Sequence, residues 1–258
     1  MHAHPKKKGK NCKSRWIYGW HTVCEYLRVL PRHVLEIFMV QSLRGTQLDN
    51  LARQFGIPVH YESSEFLESI SQNGVHQGVV ARLLPFPYSS LKDILSKQAD
   101  LLLVLDGVVD PRNLGALLRT ADGAGVGGVI LTSNRSAPIS SLTEKSATGA
   151  TVHIPVCRVE NLARTLSIMR KAGYWLIGLV QDEQRLIYHV SISSKVALIL
   201  GGEEKGLRFL TRKMCDYLVA IPMSGGIPSL NVSVAGAIAL YEFSRKLHYP
   251  EHEPTPSK

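Results

Sequence analysis

Four cysteines in 258 residues, Cys12, Cys24, Cys157 and Cys215, lie far apart and form no CxxC pair. That scarcity argues against a disulfide framework or a zinc site, and the expectation is reduced thiols in a cytoplasmic protein without a metal. No apolar run approaches the ~20 residues of a membrane span, so no membrane partner is expected. A basic run opens the chain, but no apolar stretch follows it, unlike a secretory signal. GxSxG, HExxH and the P-loop are all missing, which leaves a serine hydrolase, a zinc protease or an NTPase without a foundation. No repeat of fixed period is visible.

What is present points to a packed protein. With 45% hydrophobic and 20% charged residues, the chain has enough apolar content for one large domain or two modest ones. The net charge is +9, and its location matters. Residues 1–15 hold Lys6, Lys7, Lys8, Lys10, Lys13 and Arg15 and no acid. This arm lacks apolar periodicity and is expected to be flexible in isolation. Two readings of it stand: contacts to nucleic-acid phosphates, with Lys6, Lys7 and Lys8 as candidates, or a solubilising tail.

Residues 16–85 read as a small α/β domain. Helical spacing runs over 18–30 and 47–55, the latter ending at Gly56. Strands are expected over 34–40, 57–61 and 77–84, and Ser63 or Ser64 caps a helix through residue 70. The proline-rich stretch PFPYSS opens a linker over 86–98 whose second half is a bridging helix. From 99 to 249 the pattern is doubly wound. Apolar strands are expected at 101–106, 128–132, 152–156, 174–180, 196–200 and 217–221, and helices at 113–124, 141–147, 161–172 and 232–247. Residues 250–258 carry three prolines and form a loose tail.

GAGVGG over 123–128 matches the dinucleotide fingerprint letter for letter. The fingerprint needs a strand before it and a helix after it, and here the order is reversed, so these glycines read as a helix stop and turn. Three other stretches carry more. IPMSGGIPSLNVSVA over 221–235 is a strand end, a glycine-proline loop and polar residues at a helix start, an arrangement that gathers backbone N–H groups around a ligand. LILGGEEKGL over 198–207 places glycines at a strand end, where backbone can approach a ligand closely. VLDGVVDPRNLGALLRTAD over 104–122 opens a helix in which Asn113 reads either as a site residue or as a plain N-cap.

Together and in this order, the three stretches resemble the motif set of SpoU-type RNA ribose 2′-O-methyltransferases of the SPOUT superfamily, and most closely the bacterial enzymes acting on a guanosine ribose of 23S rRNA. The resemblance covers nearly the whole chain after Arg15. It implies a small L30e-like RNA-binding domain, matched at Gly19, His21 and NGVHQGV over 73–79, where His76 and Gln77 either touch RNA or hold a turn. It further implies an α/β methyltransferase domain with a C-terminal trefoil knot, S-adenosylmethionine as cofactor, and a homodimer with active sites near the subunit interface. The partner is 23S rRNA or a ribosomal assembly intermediate. Residue by residue, Gly201, Ile221 and Leu230 match the family's cofactor contacts, and Asn113, Arg119, Glu203, Ser229 and Asn231 its polar site residues.

Arg119 matches an arginine cast as a general base. A guanidinium holds its proton above pH ~12, so the alternative is a cation that grips phosphate and stabilises charge on the attacking oxygen, with deprotonation to Glu203, a phosphate or water. A tRNA ribose 2′-O-methyltransferase of the same fold, or a non-catalytic RNA-binding relative, are the other functions compatible with these motifs.

Overall fold

The structure, a computed structural model, describes residues 14–192 and 194–249; Lys6, Lys7 and Lys8 lie outside them. The chain divides into two compact units, residues 1–87 and 88–258.

The first unit is built on β1 (Arg15–Tyr18), α1 (Trp20–Val29), β2 (Val34–Val40), α2 (Gln47–Gln54), β3 (Val59–Glu62), α3 (Ser64–Ser71) and β4 (Val79–Leu83). Its four strands run in the order β1-β4-β2-β3, and β2 with β3 is the parallel pair. β1 escapes the sequence pattern because four residues are too few to show alternation; pairing with β4 makes it a strand. Arg15, counted above with the arm, is the first residue of β1. Its Nε donates to the Leu84 carbonyl at 3.2 Å, its Nη2 to the Tyr26 hydroxyl at 2.5 Å, and the guanidinium lies over the Tyr26 and Phe86 rings. Of the two candidate caps for α3, Ser63 does the work, accepting from Phe66 N at 3.3 Å.

The second unit holds α4 (Leu91–Ser96), β5 (Leu101–Asp106), α5 (Pro111–Gly123), β6 (Val129–Thr132), α6 (Ser141–Ala147), β7 (Val156–Val159), α7 (Leu162–Lys171), β8 (Trp175–Leu179), β9 (Val196–Gly201), α8 (Phe209–Met214), β10 (Tyr217–Val219) and α9 (Val232–His248). All six strands are parallel, in the order β10-β8-β9-β5-β6-β7. Every residue of β5 is buried, as its unbroken apolar run predicts for a strand covered on both faces. On one face Leu102 and Val104 pack with Ile130, Ala197 and Ile199 against Ile94 of α4 and Leu166 and Met169 of α7. α4 is therefore part of this core rather than a bridge. On the other face the side chains of Leu200 and of Leu117 in α5 both close on Gly236 of α9, where an added Cβ would collide with them.

One expectation over 150–220 needs correction, and one helix there has no counterpart in the sequence pattern. Residues 150–152 form a 3-10 turn, and the strand runs over Val156–Val159 instead of 152–156. The chain leaves α6 through left-handed Thr148 and Gly149, and extended pairing with β6 resumes only after Pro155. α8 has no amphipathic signal because Phe209 and Leu210 stay exposed. The reading of GAGVGG holds: Gly123 ends α5, Gly125 turns at φ +74°, and Gly127 and Gly128 pack on Ala99 and Ile94.

The winding places the site. β5, β6 and β7 step toward one edge of the sheet, and β8, β9 and β10 fill the other side. The reversal falls between β5 and β9, where Asp106 lies beside Gly201. Ligands of open α/β sheets bind at the carboxyl ends of strands near such a switch point. No helix of the described residues is long and apolar enough to cross a membrane.

Candidate active site

A cavity of about 610 Å³ opens at the carboxyl ends of β8, β9 and β10. Its walls are the turn after β8, the loop 201–207 after β9, and the stretch from Ile221 through Asn231 into the start of α9. Gly201, Ile221, Leu230 and Ser229 all line it, as do Glu203 and Asn231. Volumes of this order suit a nucleoside-sized ligand. On the wall, the Arg212 guanidinium donates to Asp182 at 2.9 Å and holds that carboxyl below its ordinary range.

Gly201 is required for a reason the sequence does not reveal. A Cβ there would strike the backbone of Gly206 and Leu207, and one on Gly202 would strike the Gly107 carbonyl. The close approach is loop against loop: Gly202 and Gly206 form a bridge, and Gly206 N donates to the Gly202 carbonyl at 3.0 Å. Gly201 thus shapes the cavity by letting its wall fold back on itself.

Three polar residues from the three motif stretches meet at the rim. Glu203 accepts from Asn113 Nδ2 at 3.0 Å and from Asp110 N at 3.3 Å on one oxygen, and from Val109 N at 3.2 Å on the other. Asn113 Oδ1 accepts from Asn231 Nδ2 at 3.1 Å. Asn231 Oδ1 in turn accepts from Ser233 N at 2.8 Å, which makes Asn231 the N-cap of α9. Asn113 is not an N-cap. That position belongs to Asp110, which accepts from Arg112 N at 2.7 Å with Pro111 following, so the Asn113 amide is free to join the network.

Burial pushes the Glu203 carboxyl up, but hydrogen bonds from the Asn113 side chain and from backbone N–H groups, those of Val109 and Asp110 included, outweigh it and hold the pKa below the ordinary value. A carboxylate so engaged is a poor proton acceptor. Its geometry is that of a pin joining the 201–207 loop to the entry of α5, where the helix dipole also favours a negative charge.

Arg119 lies elsewhere. It is exposed on α5, outside the cavity wall, and its Nη1 donates to Thr148 Oγ1 at 3.2 Å. Ser229 makes no hydrogen bond among the described residues, which leaves its hydroxyl open to the cavity. In the first unit, His76 Nδ1 accepts from Gly78 N at 3.1 Å and Gln77 Oε1 from Trp20 N at 3.2 Å. Both side chains hold the turn, one of the two roles open to them from sequence.

The sequence reading missed Asp106. Its side chain is fully buried at the end of β5, and it grips the far end of the same loop through Arg208 N and Arg208 Nε, each at 3.2 Å. The signal was there: a carboxylate closing an otherwise apolar strand, LLLVLD, has to find a partner. No group of three or more His, Cys, Asp or Glu side chains among the described residues is placed to hold a metal ion.

A parallel α/β sheet with a nucleoside-sized cavity at its carboxyl edge, rimmed by a pinned carboxylate and two amides, belongs to the class of α/β domains that hold a cofactor at a strand-end crevice. The sequence model of the SpoU rRNA methylase family matches residues 100–241, and that of the RNA 2′-O ribose methyltransferase substrate-binding domain matches residues 16–89. The chain belongs to the SpoU rRNA methylase family. It is 39% identical over 240 residues to the 23S rRNA (guanosine-2′-O-)-methyltransferase RlmB of Yersinia pestis, covering 90% of this chain and 98% of that one. The protein of the same name in Escherichia coli strain K12 is 38% identical over 90% of this chain and 99% of its own. Among solved structures, the AdoMet-bound rRNA methyltransferase from Sinorhizobium meliloti superposes with a TM-score of 0.76 at 27% identity, over 90% of this chain and 87% of that one.

Proposed function

We propose that this chain transfers a methyl group from S-adenosylmethionine to the ribose 2′-hydroxyl of a guanosine in 23S rRNA, as a cytoplasmic step of ribosome maturation. The observation that carries the proposal is the convergence at the cavity rim. Asn113 reaches Glu203 and Asn231 across 90 and 118 residues of sequence, so all three motif stretches build one site. The activity for which the relatives are named, at 38–39% identity over nearly their full length, supports the same reading.

S-adenosylmethionine, when bound, supplies an electrophilic methyl group, so the protein has only to hold it and to present the hydroxyl. The apolar stretch around Ile221 and Leu230 and the backbone of the 201–207 loop fit its nucleoside. Glu203 and Asn113 fix the rim, and Ser229 and Asn231 present polar atoms toward the ribose. Arg119 acts as a permanent cation that grips a phosphate next to the target and stabilises negative charge on the attacking oxygen. The proton leaves late, to phosphate or water; Glu203, with its pKa lowered, is not its acceptor.

The RNA partner is 23S rRNA, free or in an assembly intermediate, and the first unit engages it through the turn that His76 and Gln77 hold, alongside Lys6, Lys7 and Lys8 of the arm. The active form is a homodimer. Its support is the outer face of α9, where Val234 and Tyr241 are 47% and 56% exposed, and the position of Arg119 outside its own chain's cavity wall. In that dimer one copy's Arg119 serves the other copy's cavity. The implied knot belongs to the same reading. It is supported by the segment around residues 185–190, which pairs with Ala220 at the exit of β10 and is tied to α9 by Lys246 Nζ, a donor to the carbonyls of Ile187, Tyr188 and Val190.

The test is methyl transfer from labelled S-adenosylmethionine to a 23S rRNA transcript and to a tRNA pool, with 2′-O-methyl mapping of rRNA from a deletion strain. One guanosine methylated in vitro and unmodified in the strain is expected. Transfer to tRNA alone would overturn the rRNA assignment, and no cofactor binding by calorimetry would overturn the enzyme. Within that assay, Arg119→Ala should lower turnover by about 10²–10³.

A further inference from the structure

We infer that Thr148 is a positioning residue: its hydroxyl holds the Arg119 guanidinium in the orientation from which it meets the RNA. This rests on the reading that Arg119 acts on the substrate.

The argument begins with helix packing. Gly115 and Arg119 are four residues apart on α5 and so share a face. At Gly115 the backbones of α5 and α6 come so close that a Cβ would strike the Ser146 side chain and the backbone of Thr143 and Ala147. One turn further along α5, that close approach brings the end of α6 beside Arg119. The residue at that end is Thr148, the C-cap of α6, in the left-handed region at φ 53°, ψ 36°. A β-branched residue is a real outlier there, and glycine or asparagine is the usual occupant. The Thr148 hydroxyl accepts from Arg119 Nη1 at 3.2 Å.

The chemistry of the acceptor matters as much as its position. Among the described residues Arg119 forms no ion pair. A carboxylate partner would compete with the RNA phosphate for the same donors and cancel the charge the reaction uses. A hydroxyl takes one of the five N–H groups and leaves the charge intact. Exposed arginines carry several rotatable bonds, so a fixed acceptor lowers the entropic cost of aligning the fork on the substrate.

The test uses the full-length protein, S-adenosylmethionine and a 23S rRNA transcript. Thr148→Val keeps the branched shape and removes the acceptor. It should lower kcat about tenfold, as expected for losing a hydrogen bond to a charged group, while the cofactor Kd stays unchanged. Thr148→Ser should restore most of that loss. In an Arg119→Ala background, Thr148→Val should cost nothing further, a coupling that a merely structural residue would not show. If Thr148→Val fails to fold by circular dichroism, Thr148→Ala gives the same comparison. Full kcat in the folded variant, or a loss that adds to that of Arg119→Ala, overturns the inference. Wild-type turnover in Arg119→Ala itself overturns the underlying role of Arg119, so the two failures are distinguishable.

Discussion

Asn231 donates through Nδ2 to Oδ1 of Asn113 at 3.1 Å, and the direction of that bond is set by a third residue. Glu203, as a carboxylate, can only accept. Asn113 must therefore turn its Nδ2 toward Glu203 and its Oδ1 toward Asn231. Asn231 must then offer Nδ2, which leaves its Oδ1 to cap α9 through Ser233 N. One charge orders two amides and the start of a helix. The same order presents the loop 201–207 and the start of α9 to the cavity in fixed relative positions.

Asn113→Asp tests that order. The substitution keeps shape but sets a second acceptor, and a second negative charge, against Glu203. It should weaken S-adenosylmethionine binding more than Asn113→Ala does, with about tenfold for Ala as the scale of one lost hydrogen bond to a charged partner. Calorimetry of cofactor binding to the three proteins checks this. Equal affinities for the Asp and Ala variants would mean that donor order at the rim is irrelevant.

Glu203 makes a prediction about pH. Its carboxyl is held below the ordinary value of 4.5, so the folded state binds fewer protons than the unfolded state in that range. The stabilisation is complete above the unfolded pKa and is lost as pH falls through the lower folded pKa. Glu203→Gln should therefore lower stability at neutral pH by about 1 kcal/mol, a figure discounted for solvent screening at an exposed residue. The gap from wild type should close as the pH drops below 4.5. Urea unfolding across pH measures it, and a gap that stays constant into acid would assign the effect to shape rather than charge.

Much of this is legible in the sequence. The unbroken apolar run of β5 signals its double burial, and Asn113, Glu203 and Asn231, one from each motif stretch, meet in space. What stayed hidden depended on partners distant in sequence. β1 is a strand only because β4 pairs with it. Whether Asn113 was a cap turned on which of the residues 110–113 began α5, and only Asp110 accepting from Arg112 N decides that. A glycine at position 201 signals a close backbone approach, and only the fold shows that its own loop at Gly206 makes one. Thr148 carries no motif at all; its hydroxyl matters because Gly115, 33 positions earlier, draws α6 against α5.

The Gly201 geometry changes what a substitution there should do. Because even a single Cβ strikes the Gly206 backbone, Gly201→Ala should open the 201–207 loop and lower stability and cofactor affinity together. Overpacking in a tight site typically costs about 1–3 kcal/mol, enough for a visible fall in melting temperature. Differential scanning calorimetry with and without S-adenosylmethionine separates the cases. A variant that melts like wild type yet cannot bind cofactor would mean that the Cβ protrudes into the cavity instead of into the loop.

The dimer gives the sharpest test of where Arg119 works. Two variants are needed, each inactive for its own reason. Arg119→Ala leaves the cavity intact, and Asn231→Ala with Glu203→Ala dismantles the rim while leaving Arg119 beside Thr148. Mixed, denatured and refolded in equal amounts, a two-fold dimer should redistribute so that about half of the molecules carry one chain of each kind. If Arg119 serves the cavity of its own chain, neither site of the mixed dimer is complete, and activity stays at the background of the parents. If it serves the partner's cavity, each mixed dimer holds one complete site, built from the intact rim of one chain and the arginine of the other. About a quarter of the wild-type sites should then return, which follows from the symmetry alone. The position of Arg119 outside the wall of its own cavity leads us to expect that recovery. Sedimentation of the unmixed protein guards the premise: a monomer active on its own would remove both the dimer and the exchange of arginines.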